Sequence, residues 1–149
     1  MGKIEVGIMR EADLPEILAL YQQLIGRMES LSETQKRWRE MEKDPRCRIF
    51  VAREEGGKIC GTAMCYSCPS LTEEGRPFLV VENVVVSEEC RGMGVGKLLF
   101  EEIDRLAEKN RCSYSILVSS EHRSGAHRFY EKIGYSDPVK GFRKLYHFE

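Results

Sequence analysis

The chain has 149 residues, 42% of them hydrophobic and 32% charged, enough to bury a core beneath a well-solvated surface. Lysine and arginine number 23 against 24 aspartates and glutamates, a formal net charge of −1, which excludes the strongly basic footprint of a general nucleic-acid binder. No uninterrupted apolar stretch approaches the ~20 residues that span a bilayer, and the opening MGKIEVGIMR lacks the apolar core of a secretion signal. The expectation is a single domain over 1–149, cytoplasmic, with neither a membrane nor a nucleic acid as partner.

In chain order, Lys3–Met9 reads as a first strand. Asp13-x-x-Glu16 is capping-box chemistry, and Leu14, Ile17, Leu18, Tyr21, Leu24 and Ile25 follow at helical spacing. Ser32-x-x-Gln35 opens a second helix carrying Trp38 and Met41, stopped by Asp44-Pro45. Arg48–Arg53 and Lys58–Cys68 are strands around the turn residues Glu54-Glu55-Gly56-Gly57. A polar loop, Pro69–Pro77, precedes the long apolar strand Phe78–Val86. Val95, Leu98, Leu99, Ile103 and Leu106 form one apolar helical stripe, and Tyr114–Val118 is a short strand. Ala126, Phe129, Tyr130 and Ile133 share one face of a last helix that Gly134 can cap, before a final strand at Phe142–Phe148. Early hairpins and late crossovers predict a mixed α/β fold, an α+β sheet with helices on its faces.

Six cysteines, at 47, 60, 65, 68, 90 and 112, do not read as a disulfide scaffold in a chain with a sufficient core. Cys65-Tyr66-Ser67-Cys68 has a spacing known from zinc and redox sites, but no second such pair accompanies it and it ends a strand rather than starting a helix. Free, partly buried thiols are the reading, with no metal. His122 and His127 are five apart and His147 stands alone, so the histidines make no metal set either.

The most informative stretch is Val84-Val85-Val86-Ser-Glu-Glu-Cys-Arg91-Gly92-Met93-Gly94-Val95-Gly96-Lys97. A strand enters a turn with glycines at alternate positions, and a helix begins at once. Glycine permits positive φ and close approach to the backbone, while free amides at a helix start favour phosphate. Arg91 and Lys97 add positive charge. Gly92 and Gly96 enclose three residues, with Leu98 after Lys97, so the Walker A spacing fails; G-x-G-x-G fails the dinucleotide fingerprint too.

Arg91-x-x-Gly94-x-Gly96 after Glu82-Asn-Val-Val-Val resembles the acetyl-CoA signature of the GNAT superfamily of N-acetyltransferases. Ala126-His-Arg-Phe-Tyr130-Glu-Lys-Ile-Gly134-Tyr135 resembles its second signature, in the family's order and spacing. The resemblance implies a splayed mixed sheet of about six to seven strands with four helices, holding acetyl-CoA as co-substrate. Pyrophosphate would meet the amides of Arg91, Gly92, Met93, Gly94, Val95, Gly96 and Lys97. Pantetheine would pair with backbone near Val84, Val85 and Val86 as an added strand. Phe129, Tyr130 and Lys132 would flank the cofactor. Arg123 stands where many members carry Asn, either beside the nucleotide phosphates or as a solvated loop residue.

The implied reaction is direct attack of a primary amine on the thioester. An amine with pKa ~10.4 is mostly protonated near neutral pH, so a base is needed, and a phenol of pKa ~10 can protonate the departing thiolate. The resemblance gives Tyr130 the acid's role and Glu82 the base's, through water. Strict alternation puts Glu82 on one face with Val80, Val84 and Val86, unless a bulge disturbs the parity. The family's acceptor end falls at Tyr21–Ser32 and Pro69–Pro77, and its members often dimerise, which leaves a homodimer open. A catalytically inactive acyl-CoA-binding module is the alternative, and a nucleotide-binding protein a weaker third.

Overall fold

The structure, a computed structural model, describes residues 2–119 and 123–147. The chain forms two compact units, 1–117 and 118–149. The first runs β1 (Ile4–Ile8), α1 (Leu14–Ile25), α2 (Leu31–Met41), β2 (Cys47–Glu54), β3 (Ile59–Cys68), β4 (Phe78–Val86), α3 (Val95–Lys109) and β5 (Ser115–Ile116). Sheet order follows chain order, β1-β2-β3-β4-β5. The first three pairings are antiparallel and β4–β5 is parallel, the parallel pair needing the crossover that α3 supplies. The mixed α/β class expected from the sequence is the class observed.

Each face of the sheet carries its own core. On one, Cys47, Ile49 and Val51 of β2 pack with Leu14, Ile17 and Leu20 of α1, Trp38 of α2, and Val85 of β4. On the other, β3 lies directly under α3: a Cβ at Gly61 would sit 2.8 Å from Val95 Cγ1 and 3.3 Å from Leu99 Cδ1. Glycine is the residue that lets helix and strand approach so closely there. The β2–β3 hairpin is closed as its residues predict, with Gly56 and Gly57 at φ 102° and 98° and Gly57 N donating to Glu54 O at 2.9 Å.

Two helix starts differ from the sequence reading. The cap of α2 is Ser30, two residues before the expected Ser32, its Oγ accepting from Glu33 N at 3.3 Å. Asp13 precedes α1 but does not cap it. Its carboxylate instead accepts from Arg10 N at 2.8 Å and from Arg53 Nη2 at 2.6 Å, while Glu16 reaches β3 to accept from Ile59 N at 2.9 Å. Each carboxylate thus has one long-range partner, Arg53 for Asp13 and the Ile59 amide for Glu16, in place of the cap of α1.

The second unit holds α4 (Ser124–Lys132). Gly134 follows it at φ 108°, and Tyr135 N donates to Tyr130 O at 2.9 Å, the C-terminal closure that the glycine predicts. The expected strand at Phe142–Phe148 is not seen: residues 142–147 join no ladder, and Phe148 lies outside the described residues. The described residues contain five strands rather than six to seven. Arg143 and Lys144 interrupt the alternation, and Phe142, Leu145 and Tyr146 are exposed, so nothing in the segment selects a buried face. β5 is likewise shorter than Tyr114–Val118, pairing only through Ser115 and Ile116.

The Asp13–Arg53 pair is the most buried ion pair among the described residues, with side-chain exposures of 5% and 24%. Burial opposes the charge on Asp13, but the hydrogen bonds from Arg53 and the Arg10 amide, with the two guanidinium charges, hold its carboxyl below the ordinary 3.8. Asp13→Asn is expected to cost about 2–3 kcal/mol in urea unfolding, somewhat under a fully enclosed pair because Arg53 keeps partial contact with water. A depressed carboxyl stabilises the fold fully above its unfolded pKa and less as pH falls through the folded one. The difference between wild type and variant should therefore be constant above about pH 4 and shrink below it.

Candidate cofactor and active site

The candidate residues of the first unit lie along and after an irregularity in β4. Thr62 pairs with Val85 and Met64 with Glu82, so two steps along β3 correspond to three along β4. The extra residue is a bulge, and Asn83 within it has φ 53°, a left-handed conformation that Asn tolerates better than most side chains. The bulge resets the parity of the strand. Directly paired residues share a face, as do Thr62 and Met64 two apart, so Glu82 lies on the face of Val80 and Val85, where Met64 and Val85 meet the α1–α2 core. Strict alternation, which grouped Glu82 with Val84 and Val86, is thereby corrected. The Glu82 side chain is exposed.

Tyr21 of α1 meets the bulge, and sequence reasoning singled out neither this contact nor Asn83. Burial, reinforced by the neighbouring Cys47, pushes the Tyr21 hydroxyl up to about 12, and a hydrogen bond from the Asn83 side chain works against that rise. The available signal was the adjacent polar pair Glu82-Asn83 in an otherwise apolar run, 78–81 preceding it and 84–86 following it.

Beyond the bulge, β4 runs to Val86, although β5 pairs only with Leu79 and Val80. The outer edge of β4 from Val81 to Val86 therefore extends past its parallel neighbour with strand-forming amides and carbonyls of its own. The strand ends where Ser87 N donates to Cys60 O at 2.8 Å, and a single tight turn over Glu88–Cys90 follows. Arg91 is extended, and Gly92 and Gly94 both have φ 80°. Gly94 is the N-cap of the 15-residue α3, with no side chain capping it.

The amides of Val95, Gly96 and Lys97 thus open a long helix without intrahelical acceptors, at the positive end of its dipole. A Cβ at Gly92 or Gly94 would meet nothing within 4 Å, so it is the positive φ that calls for glycine, and the space over the turn is open to a ligand. Val95 is 1% exposed, which anchors the helix start, while Arg91 and Lys97 remain exposed. Anchored amides, open space and flanking cations suit a pyrophosphate.

In the second unit, the Tyr130 ring meets Phe129 at 5.5 Å and Tyr135 at 6.2 Å, both edge-on. Burial raises the Tyr130 hydroxyl above its ordinary 10.0, against the opposing charge of Arg123, so it carries its proton at neutral pH. Glu82, Val84–Val86 and Arg91–Lys97 share the first unit, and Arg123, Phe129, Tyr130 and Lys132 the second. His122 lies outside the described residues. Cys65 and Cys68, three apart in β3, project to opposite faces, and burial pushes the Cys65 thiol up to about 12.

The sequence pattern described as the Acetyltransferase (GNAT) family matches residues 14–135. A glucosamine 6-phosphate N-acetyltransferase of Trypanosoma brucei brucei is 34% identical over 79 residues, 53% of this chain and 52% of that protein. The chain spans about half the length of the curated relatives it matches, 52% and 58%. Among solved structures, an Agrobacterium tumefaciens C58 protein provisionally assigned as an acetyltransferase has a TM-score of 0.88 at 30% identity, over 95% of this chain and 99% of that one. Glucosamine-6-phosphate N-acetyltransferase from Arabidopsis thaliana has a TM-score of 0.84 at 23% identity over 99% of each chain, a likeness of fold.

A β-branched side chain cannot hold φ 53° without strain. Asn83→Val should cost about 1–2 kcal/mol in urea unfolding, and Asn83→Gly should cost less than Asn83→Val. Equal costs would show that the bulge relaxes to ordinary strand geometry.

Proposed function

The chain belongs to the GNAT acetyltransferase family, and on that premise we propose that it transfers an acetyl group from acetyl-CoA to a primary amine by direct attack. The observation that carries this reading is the β4 edge running past β5 into a glycine turn at the start of α3. An extended pantetheine arm adds to such an edge as a strand would. The amides of Arg91–Lys97 receive the pyrophosphate, with Arg91 and Lys97 contributing charge. Acetyl-CoA, when bound, supplies an electrophilic thioester carbonyl and a thiolate leaving group.

The surroundings of the chain's own residues support the roles proposed for them. Glu82 is exposed beside the bulge, so water reaches it and it takes the proton lost by the attacking amine, directly or through that water. Tyr130 carries a proton at neutral pH and donates it from Oη to the departing sulfur. The new bond joins the acceptor nitrogen to the carbonyl carbon, the carbon–sulfur bond breaks, and the proton count balances between Glu82 and Tyr130. The acceptor is an amine on a small molecule, a peptide or a protein side chain. Glucosamine 6-phosphate, named for a relative, is the first acceptor to try.

Calorimetric titration with acetyl-CoA, CoA, ATP and NAD tests the cofactor, and thiol release across an amine panel tests the reaction. Selective acetyl-CoA binding with amine-dependent thiol release is expected. A preference for ATP or NAD would overturn the reading, and acetyl-CoA binding with no release on any amine would favour the inactive module. Tyr130→Phe should leave acetyl-CoA affinity unchanged and lower kcat by about 10²–10⁴-fold. Glu82→Gln should lower kcat in the same way, most at pH values where the amine is largely protonated.

A further inference from the structure

Three donor side chains meet on the first unit away from the glycine turn's ligand face: Glu54 at the end of β2, Cys60 in β3 and Cys90 in the turn after β4. One ligand atom from each lies within 4.8 Å of the other two, and Cys90 Sγ donates to Glu54 Oε1 at 3.2 Å. Backbone hydrogen bonds hold all three places. Glu54 N donates to Lys58 O at 2.8 Å, Ser87 N to Cys60 O at 2.8 Å, and Cys90 N to Ser87 O at 2.9 Å. Cys60 and Cys90 are 0% and 1% exposed, and Glu54 is half-buried. We propose that Glu54, Cys60 and Cys90 form a binding site for one thiophilic divalent metal ion of the zinc class.

The spacing and the charge both agree with this. A tetrahedral ion with sulfur at ~2.3 Å and oxygen at ~2.0–2.2 Å wants its donors roughly 3.6–3.8 Å apart, within about 1 Å of the separations present. The metal displaces one proton from each thiol, so a dication replaces two protons and the net charge of the cluster does not change. No uncompensated charge is buried by loading. Glu54 also lines a surface cavity of about 270 Å³ with Lys3, Glu5, Arg53, Glu55 and Gly56, so solvent comes up to this residue of the cluster. Lys58 and Glu89, paired at 2.5 Å, close the same corner.

A disulfide between Cys60 and Cys90 is the less favoured use of these thiols. Forming it needs a two-electron oxidant to take up the electrons of two thiols, whereas metal loading needs only the release of their two protons. A disulfide would also leave the carboxylate of Glu54 without its thiol donor.

The test is titration of the whole reduced chain with Co(II), which needs no catalytic readout. One equivalent should produce tetrahedral visible bands and thiolate-to-cobalt charge transfer, and Zn(II) should displace it and raise Tm. Cys60→Ser and Cys90→Ser should each abolish the charge-transfer band. The double variant Cys68→Ser/Cys112→Ser should keep it. Should Cys60→Ser fail to fold, Cys90→Ser and Glu54→Gln carry the test, the latter by an affinity at least tenfold weaker. Absence of tetrahedral bands in folded, reduced wild type would overturn the proposal, as would bands that survive both single cysteine substitutions.

Discussion

One extra residue in β4 sets the terms for everything around it. Because side chains in a strand alternate with a period of two, an insertion at Asn83 exchanges the faces of all residues beyond it. Val85 therefore packs with Leu14, Ile17 and Trp38, and Val86, opposite Gly61, falls on the α3 side. The bulge decides which valine of the run fills which face. The strain at φ 53° is local and is held by the ladder on either side and by the Tyr21 contact. Backbone strain of this kind persists where surrounding structure over-determines it.

The same strand delivers the glycine turn. Gly61 brings β3 within reach of Val95 and Leu99, so the first turn of α3 is fixed against the sheet and its amides face outward over Gly92 and Gly94. A larger residue at 61 would lift the helix and with it the cradle. The turn is tied from below as well, through Ser87 to Cys60 and through Cys90 to Glu54. The glycine-capped start of α3 and the thiol–carboxylate cluster are two sides of one anchored corner, one facing solvent and the other facing the end of the β2–β3 hairpin.

Local chemistry was legible wherever it was decisive on its own. β4 spans Phe78–Val86 as its run of apolar residues predicts, α3 starts at Val95 behind the glycines, and Gly56 and Gly57 close the hairpin. It misled where a distant partner competed. Asp13 sits where a cap for α1 belongs, yet its carboxylate joins Arg53, forty residues away along the chain, to the Arg10 amide behind it, and the charge-assisted bond in a buried setting is the stronger of the two. Ser30 caps α2 in place of Ser32 since both offer the same hydroxyl and only the path of the chain out of α1 chooses between them. Residues 142–147 carry strand-forming side chains, but a strand exists through its pairing.

The candidate residues of each unit were therefore legible in the sequence: alternate glycines with flanking cations in the first and the Tyr130 helix in the second are short-range patterns. Which way Glu82 points, why Asn83 matters, and that Glu54, Cys60 and Cys90 come together were decided by tertiary structure alone. Each depends on register between strands, and register is set by the summed burial of both faces rather than by any residue and its neighbours.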